Sequence, residues 1–272
     1  MKSKFFKSIL SACVTLMLIS GSTISASTEK KDSYVEKKGI TIEYYGHSSF
    51  GIIDSEGMKI VADPYNPVAD PDPSIPILGY TFPSISTQIL TVSHDHFDHN
   101  NVAALQSYEQ LIFANTGKFR SGDIKVEGIF SYHDQTQGSE RGANTIYTYE
   151  INSIRVCHLG DLGHELSQEQ IKSIGQVDVL MIPVGGVFTV NSEEAIRVVN
   201  SISPKVVIPM HYGTEASNAL FALMGSELAP VDTFTSMIQL EGWKIENIDN
   251  LTLTKQMLNT LKSKKVFVLN YN

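Results

Sequence analysis

The sequence predicts an α/β protein in which two β-sheets pack face to face with helices outside, a four-layer αββα sandwich. Three observations predict it. Short β-branched and apolar runs recur along the chain, hairpin signals join the early ones, and helical patterns alternate with the late ones. The chain of 272 residues also lacks any internal low-complexity tract or Pro/Gly/Ser linker after residue 38. One domain over 39–272 is therefore expected.

The elements follow in order. Lys2, Lys4 and Lys7 precede an apolar stretch over 8–19, and small residues over 21–26 suit cleavage after Ala26. That layout predicts a secretory signal peptide over 1–26 and an exported protein, with a lipoprotein box at Leu10-Ser11-Ala12-Cys13 as the weaker alternative. A polar leader over 27–38 follows. Strands are expected over 39–45, 50–54, 58–62, 89–92, 111–114, 124–130, 145–151, 154–158, 179–182, 205–209 and 266–269. Asp54-Ser55-Glu56-Gly57 and Asn152-Ser153 are the hairpin signals. Helices are expected over 101–108, 167–174, 192–202 and 214–223.

Charge and cysteine usage narrow the function. The net charge of −8 becomes more negative once the three lysines of 1–26 are removed, which opposes binding to nucleic acid or an anionic membrane. A small-molecule substrate is the expected partner, and the mature chain carries no integral membrane segment. Of the two cysteines, only Cys157 lies beyond the signal, so no intrachain disulfide forms in the mature chain.

The densest chemistry lies in Ser93-His94-Asp95-His96-Phe97-Asp98-His99, just past the run 88–93 that reads as a buried strand. Histidine and carboxylate are ligands of zinc and its first-row neighbours. Helix capping by Asp95 or Asp98 accounts for one aspartate and none of the histidines. His133, Asp161 and His211 each follow a further strand, so all can converge on one edge of the sheets. Five histidines and two aspartates suit two adjacent ions with a shared carboxylate.

His94-x-His96-x-Asp98-His99, then His133, Asp161 in a Gly-Asp context, and His211 resemble the metallo-β-lactamase superfamily. Gly46-His47-Ser48-Ser49-Phe50, Ala62-Asp63-Pro64, His158-Leu159-Gly160-Asp161-Leu162-Gly163, Pro183-Val184-Gly185-Gly186 and Pro209-Met210-His211-Tyr212 resemble its ascorbate-phosphate lactonase-like branch. The motif order is also similar to that of N-acyl-phosphatidylethanolamine phospholipase D. The resemblance implies the metallo-β-lactamase fold and two divalent ions, zinc first and manganese second. His94, His96 and His133 would hold one ion, Asp98, His99 and His211 the other, and Asp161 would bridge them. It implies a metal-bridging hydroxide, hydrogen-bonded to Asp98 as the catalytic carboxylate, attacking an ester, lactone or phosphodiester.

Four further residues have roles that stay open at this level. His158 is read as support for the ligands rather than as a ligand. Asp63 either orients a ligand imidazole or caps its turn. His47 either faces the cleft or serves its turn, and Arg141 either clamps an anionic substrate group or sits in a solvated loop. The alternatives to the lactonase-like hydrolase are a phospholipase D-like phosphodiesterase, a true β-lactamase and a metal-binding protein without turnover. Loops over 75–83, 185–191 and 214–227 are expected to set the substrate.

Overall fold

The computed structural model describes residues 38–66, 78–223 and 225–271. The expected signal peptide, residues 27–37 of the leader and the start of the 75–83 loop lie outside the described residues.

The first half is built from β1 (Gly39–Gly46), β2 (Ser49–Asp54), β3 (Lys59–Ala62), β4 (Ser86–Val92) and β5 (Ser107–Phe113). The chain then crosses to β6 (Gly117–Ser121), β7 (Ile124–Tyr132), β8 (Ala143–Ile151) and β9 (Ile154–His158). The remainder runs α1 (Gln168–Ile174), β10 (Val179–Pro183), α2 (Ser192–Ile202), β11 (Val206–Met210), α3 (Glu215–Leu223) and α4 (Val231–Leu240). It closes with β12 (Lys244–Ile248), β13 (Asn250–Thr254), α5 (Lys255–Thr260) and β14 (Lys265–Leu269). One sheet has the order β13-β1-β2-β3-β4-β5, the other β12-β14-β11-β10-β9-β8-β7-β6. The expected two-sheet α/β architecture is present.

Alternation explains why the sheets stack. Ile40, Ile42, Phe50 and Ile52 from the first sheet meet Val126, Tyr149, Val156 and Ile208 from the second in one buried core. Each such side chain contributes on the order of 1.5–3 kcal/mol by leaving water. The central strands β10 and β11 are buried along their whole length, as parallel strands covered on both faces must be. Their other face, with Leu180, Ile182 and Val207, packs under α2 and α4 through Val199, Phe234 and Ile238. Ser167 with Gln170 and Asn191 with Glu194 form capping boxes that start α1 and α2. No helix among the described residues is long and apolar enough to cross a membrane.

One expected element is different. Residues 101–108 do not form an α-helix: a short 3-10 turn spans Val102–Ala104, and β5 begins at Ser107. The backbone N–H of Gln106 donates to the Ile85 carbonyl at 2.8 Å. From there Ser107 to Phe113 pairs in parallel with β4, so a long-range ladder overrides the local helical spacing. On that outer face of the first sheet, Val61 and Leu90 are covered by Leu105, with Phe82, Ile85 and Val102 against them.

Candidate metal centre

Each donor residue stands where a strand ends. His47 lies in the β1–β2 turn, Asp63 follows β3, and His94 to His99 follow β4. His133 follows β7, Asp161 follows β9, and His211 follows β11. Strand direction therefore carries residues separated by more than a hundred positions onto one rim.

Asp161 is at the centre. Its Oδ2 lies 3.1 Å from His99 Nε2, 3.2 Å from His133 Nε2, 3.2 Å from His211 Nε2 and 3.8 Å from His94 Nε2. Donors sharing one first-row ion, each about 2.0–2.2 Å from it, are spaced about 3.0–3.5 Å apart. Three sets of donor atoms lie within 4.8 Å of one another: His94, His96 and His133; His47, Asp98, His99 and His211; and His94, His99 and Asp161. All seven expected ligands are thus brought together.

The residues fit a cation on two further grounds. His94 Nε2, His99 Nε2 and Asp161 Oδ1 are buried with no hydrogen-bond partner, an arrangement that is costly unless something else binds them. The protonation states of His94, His47, Asp98 and Asp161 also suit ligation. Burial, then the neighbouring His99, pushes His94 down to about 3, and burial, then His211, pushes His47 down to about 4, leaving both imidazoles neutral. Burial alone would raise the Asp98 carboxyl, but His99 and the hydrogen bond from His47 outweigh it and hold the group ionised. Burial likewise opposes ionisation of Asp161, and His211 and His99 reverse it.

Asp63 sets the tautomers. Its Oδ1 accepts from the Ser93 N–H at 2.7 Å, and its Oδ2 accepts from Ser93 Oγ at 2.6 Å and from His99 Nδ1 at 2.9 Å. A serine hydroxyl has one proton. With that proton on Asp63, Ser93 Oγ accepts from His94 Nδ1 at 2.8 Å. Both His94 and His99 thus use Nδ1 in these bonds and turn Nε2 toward the site. Burial opposes a charge on His99, but Asp161 and Asp98 outweigh it and raise the ring well above its ordinary value, so a cation would displace its Nε2 proton.

His158 is different. Its Nε2 donates to the Ser48 carbonyl at 2.8 Å and its Nδ1 accepts from the Gly160 N–H at 3.1 Å, so neither nitrogen is left for a metal. His47 sits closer to the chemistry than its position after a glycine suggests. Its Nε2 lies 3.2 Å from Asp98 Oδ2 and its ring 4.1 Å from that of His211. The His47 carbonyl accepts from the His211 N–H at 3.0 Å, and both residues have left-handed backbones, φ 54° and 51°. Such strain costs about 1–3 kcal/mol per residue and gathers at functional sites. Close approach also explains Gly163, where a Cβ would collide with the backbone of His133.

The donors open onto a cleft of about 230 Å³ whose other walls are Phe97, Arg141, Phe188 and Phe221. A larger groove of about 390 Å³ lies among Lys118, Arg120 and Arg155 and holds none of the donor residues, so the chemistry belongs to the smaller one. The three aromatic walls carried no signal in the sequence beyond the position of their loops.

A family profile described as a beta-lactamase superfamily domain matches residues 41–211, from β1 to the last donor. A UPF0173 metal-dependent hydrolase of Pyrobaculum islandicum is 30% identical over 200 residues, covering 64% of this chain and 84% of the relative. A UPF0173 protein of Pyrococcus furiosus is 31% identical over 195 residues, covering 64% and 83%. Among solved structures, a Thermotoga maritima protein described as a Zn-dependent hydrolase of the metallo-beta-lactamase superfamily superposes with a TM-score of 0.63 at 29% identity. That match covers 85% of this chain and 98% of the other.

Proposed function

The chain belongs to the beta-lactamase superfamily and is a metal-dependent hydrolase, and we propose that it is exported and uses two divalent ions to hydrolyse a small ester, lactone or phosphodiester. One observation carries the two-ion reading: a single carboxylate oxygen, Asp161 Oδ2, stands 3.1–3.2 Å from three imidazole nitrogens contributed by three different strand ends.

His94, His96 and His133 would hold one ion, Asp98, His99 and His211 the other, with Asp161 shared. Zinc suits these donors best, and manganese second. When bound, the ions supply Lewis acidity and make water acidic enough to ionise near neutral pH. The rest is the work of this chain's own groups. Asp98 lines the cleft as an ionised carboxylate and would accept a hydrogen bond from the attacking water, orienting it. His47 holds that carboxylate in place through Nε2 at 3.2 Å. Asp63 acts one layer further out, orienting His94 and His99. Export rests on the basic, apolar and small-residue order of residues 1–26.

A panel of esters, lactones and phosphodiesters offered to purified protein loaded with zinc or manganese tests the reading. Hydrolysis of at least one class, abolished in His94→Ala, is expected. Turnover that persists in His94→Ala after its metal is verified absent would overturn it.

A further inference from the structure

The segment following His133 is built for a purpose that metal binding does not require. Asp134 is buried, and its carboxylate accepts from the backbone N–H groups of Thr136 at 2.8 Å, Gly138 at 2.7 Å, Glu140 at 3.0 Å and Arg141 at 2.8 Å. The Thr136 hydroxyl adds a fifth bond at 3.0 Å. Residues 134–141 are thereby wound around one anion, and Arg141 is delivered to the cleft at the end of the winding.

The arginine is held from below as well. Its guanidinium lies over the ring of Phe188, 5.3 Å from the centroid, and Phe188 in turn packs against Phe221 at 5.3 Å. Phe188 is fixed by backbone strain. Its N–H donates to the Gly186 carbonyl at 2.7 Å across Val187, a β-branched residue at φ 62°. A three-residue turn of that hand is rare and strained. Two separate devices therefore set one side chain at the mouth of the cleft.

The guanidinium is also available. Among the described residues it makes no hydrogen bond, and its nearest carboxylate, that of Glu140, is 3.6 Å away and more than half exposed. A rim pair of this kind is worth little. Every other polar group of the cleft wall is a metal donor, so Arg141 is the permanent cation available to a ligand there. Its planar fork matches a carboxylate or a phosphate.

We propose that Arg141, seated on Phe188, is the specificity-determining residue of this hydrolase, and that its substrates are small amphipathic anions. Such a substrate carries a carboxylate or phosphate for the guanidinium and an apolar body for Phe97, Phe188 and Phe221. The volume supports a small molecule, since about 230 Å³ is below the range of about 300–1,000 Å³ typical of drug-sized pockets. This inference rests on the hydrolase reading of the same cleft.

The test pairs turnover with binding. Mono-4-nitrophenyl glutarate and 4-nitrophenyl hexanoate differ chiefly in a terminal carboxylate, and kcat and KM are measured for both with zinc-loaded wild type, Arg141→Gln, Arg141→Lys and Arg120→Gln. Binding of benzoate and of phenylphosphonate is measured by calorimetry on the same proteins. Wild type should prefer the anionic ester. Arg141→Gln should lower the anionic-to-neutral ratio of kcat/KM by about 10–100-fold, chiefly through KM. Arg141→Lys should restore part of it, and Arg120→Gln, on β6 and outside the cleft, should show none of the loss. The stronger of the two calorimetric probes, weakened about tenfold or more by Arg141→Gln, identifies carboxylate or phosphate as the head group. An unchanged ratio in Arg141→Gln overturns the proposal while leaving the hydrolase reading intact. Arg141-dependent binding with neither ester nor any of the wider panel turned over would do the reverse.

Discussion

Asp63 offers a direct test of how the site is assembled, because it lies outside the donor set yet fixes two of its members. Asp63→Asn keeps the volume and removes the charge. The wild-type carboxylate accepts three hydrogen bonds, from Ser93 N, Ser93 Oγ and His99 Nδ1, at 2.6–2.9 Å. An amide has one accepting oxygen in place of two, and its NH₂ would face a donor. The Asp63–Ser93–His94 relay and the Asp63–His99 bond cannot both survive. Losing a partner of this outer kind typically costs about 10–100-fold in metal affinity, or about 1.4–2.7 kcal/mol. The assay is competition against a chromophoric zinc chelator, with thermal unfolding of the metal-free proteins as the control for folding. A wild-type affinity for both ions in Asp63→Asn would refute the orienting role.

Three further outcomes follow from named contacts. His47→Asn should keep the fold but weaken the ion nearest Asp98, lowering kcat by about tenfold or more, which steady-state kinetics with metal analysis will read. Gly163→Ala should destabilise by about 2 kcal/mol or more, because the added Cβ meets the His133 backbone, and urea unfolding measures it. Burial pushes the Cys157 thiol up to about 12, whereas it ionises near 9 when unfolded. The folded state therefore keeps a proton that the unfolded state loses, and this contribution is full below pH 9 and fades as pH rises from 9 to 12. Cys157→Ala should lose less stability than wild type between pH 8 and 10 in urea titrations.

The legible part of the site was the part written locally. His94, His96, Asp98 and His99 fall within six consecutive positions, and their density alone pointed to metal. His133, Asp161 and His211 were readable because each follows a strongly β-patterned run. His47 was ambiguous, since a lone histidine after Gly46 is as consistent with a turn; its nearness to His211 depends on a backbone bond between segments over 160 residues apart. The same limit produced the helix expected over 101–108, where apolar spacing lost to parallel pairing with β4. β13 was missed for a related reason: it is short and half exposed, and exists because it pairs with β1 from the far end of the chain. Phe188 became a wall residue through a strained turn that residue order does not disclose, and Phe221 through the way the expected helix α3 packs against Phe188.

The proposed two-ion centre depends on both ions sharing the Asp161 carboxylate. Metal content by mass spectrometry, taken on metal-replete wild type and Asp161→Ala after identical dialysis, tests it most directly. Two ions per chain are expected in wild type, with the loss of at least one, together with hydrolysis, in the variant. One ion or none in the wild type, or two ions retained by Asp161→Ala, would contradict it.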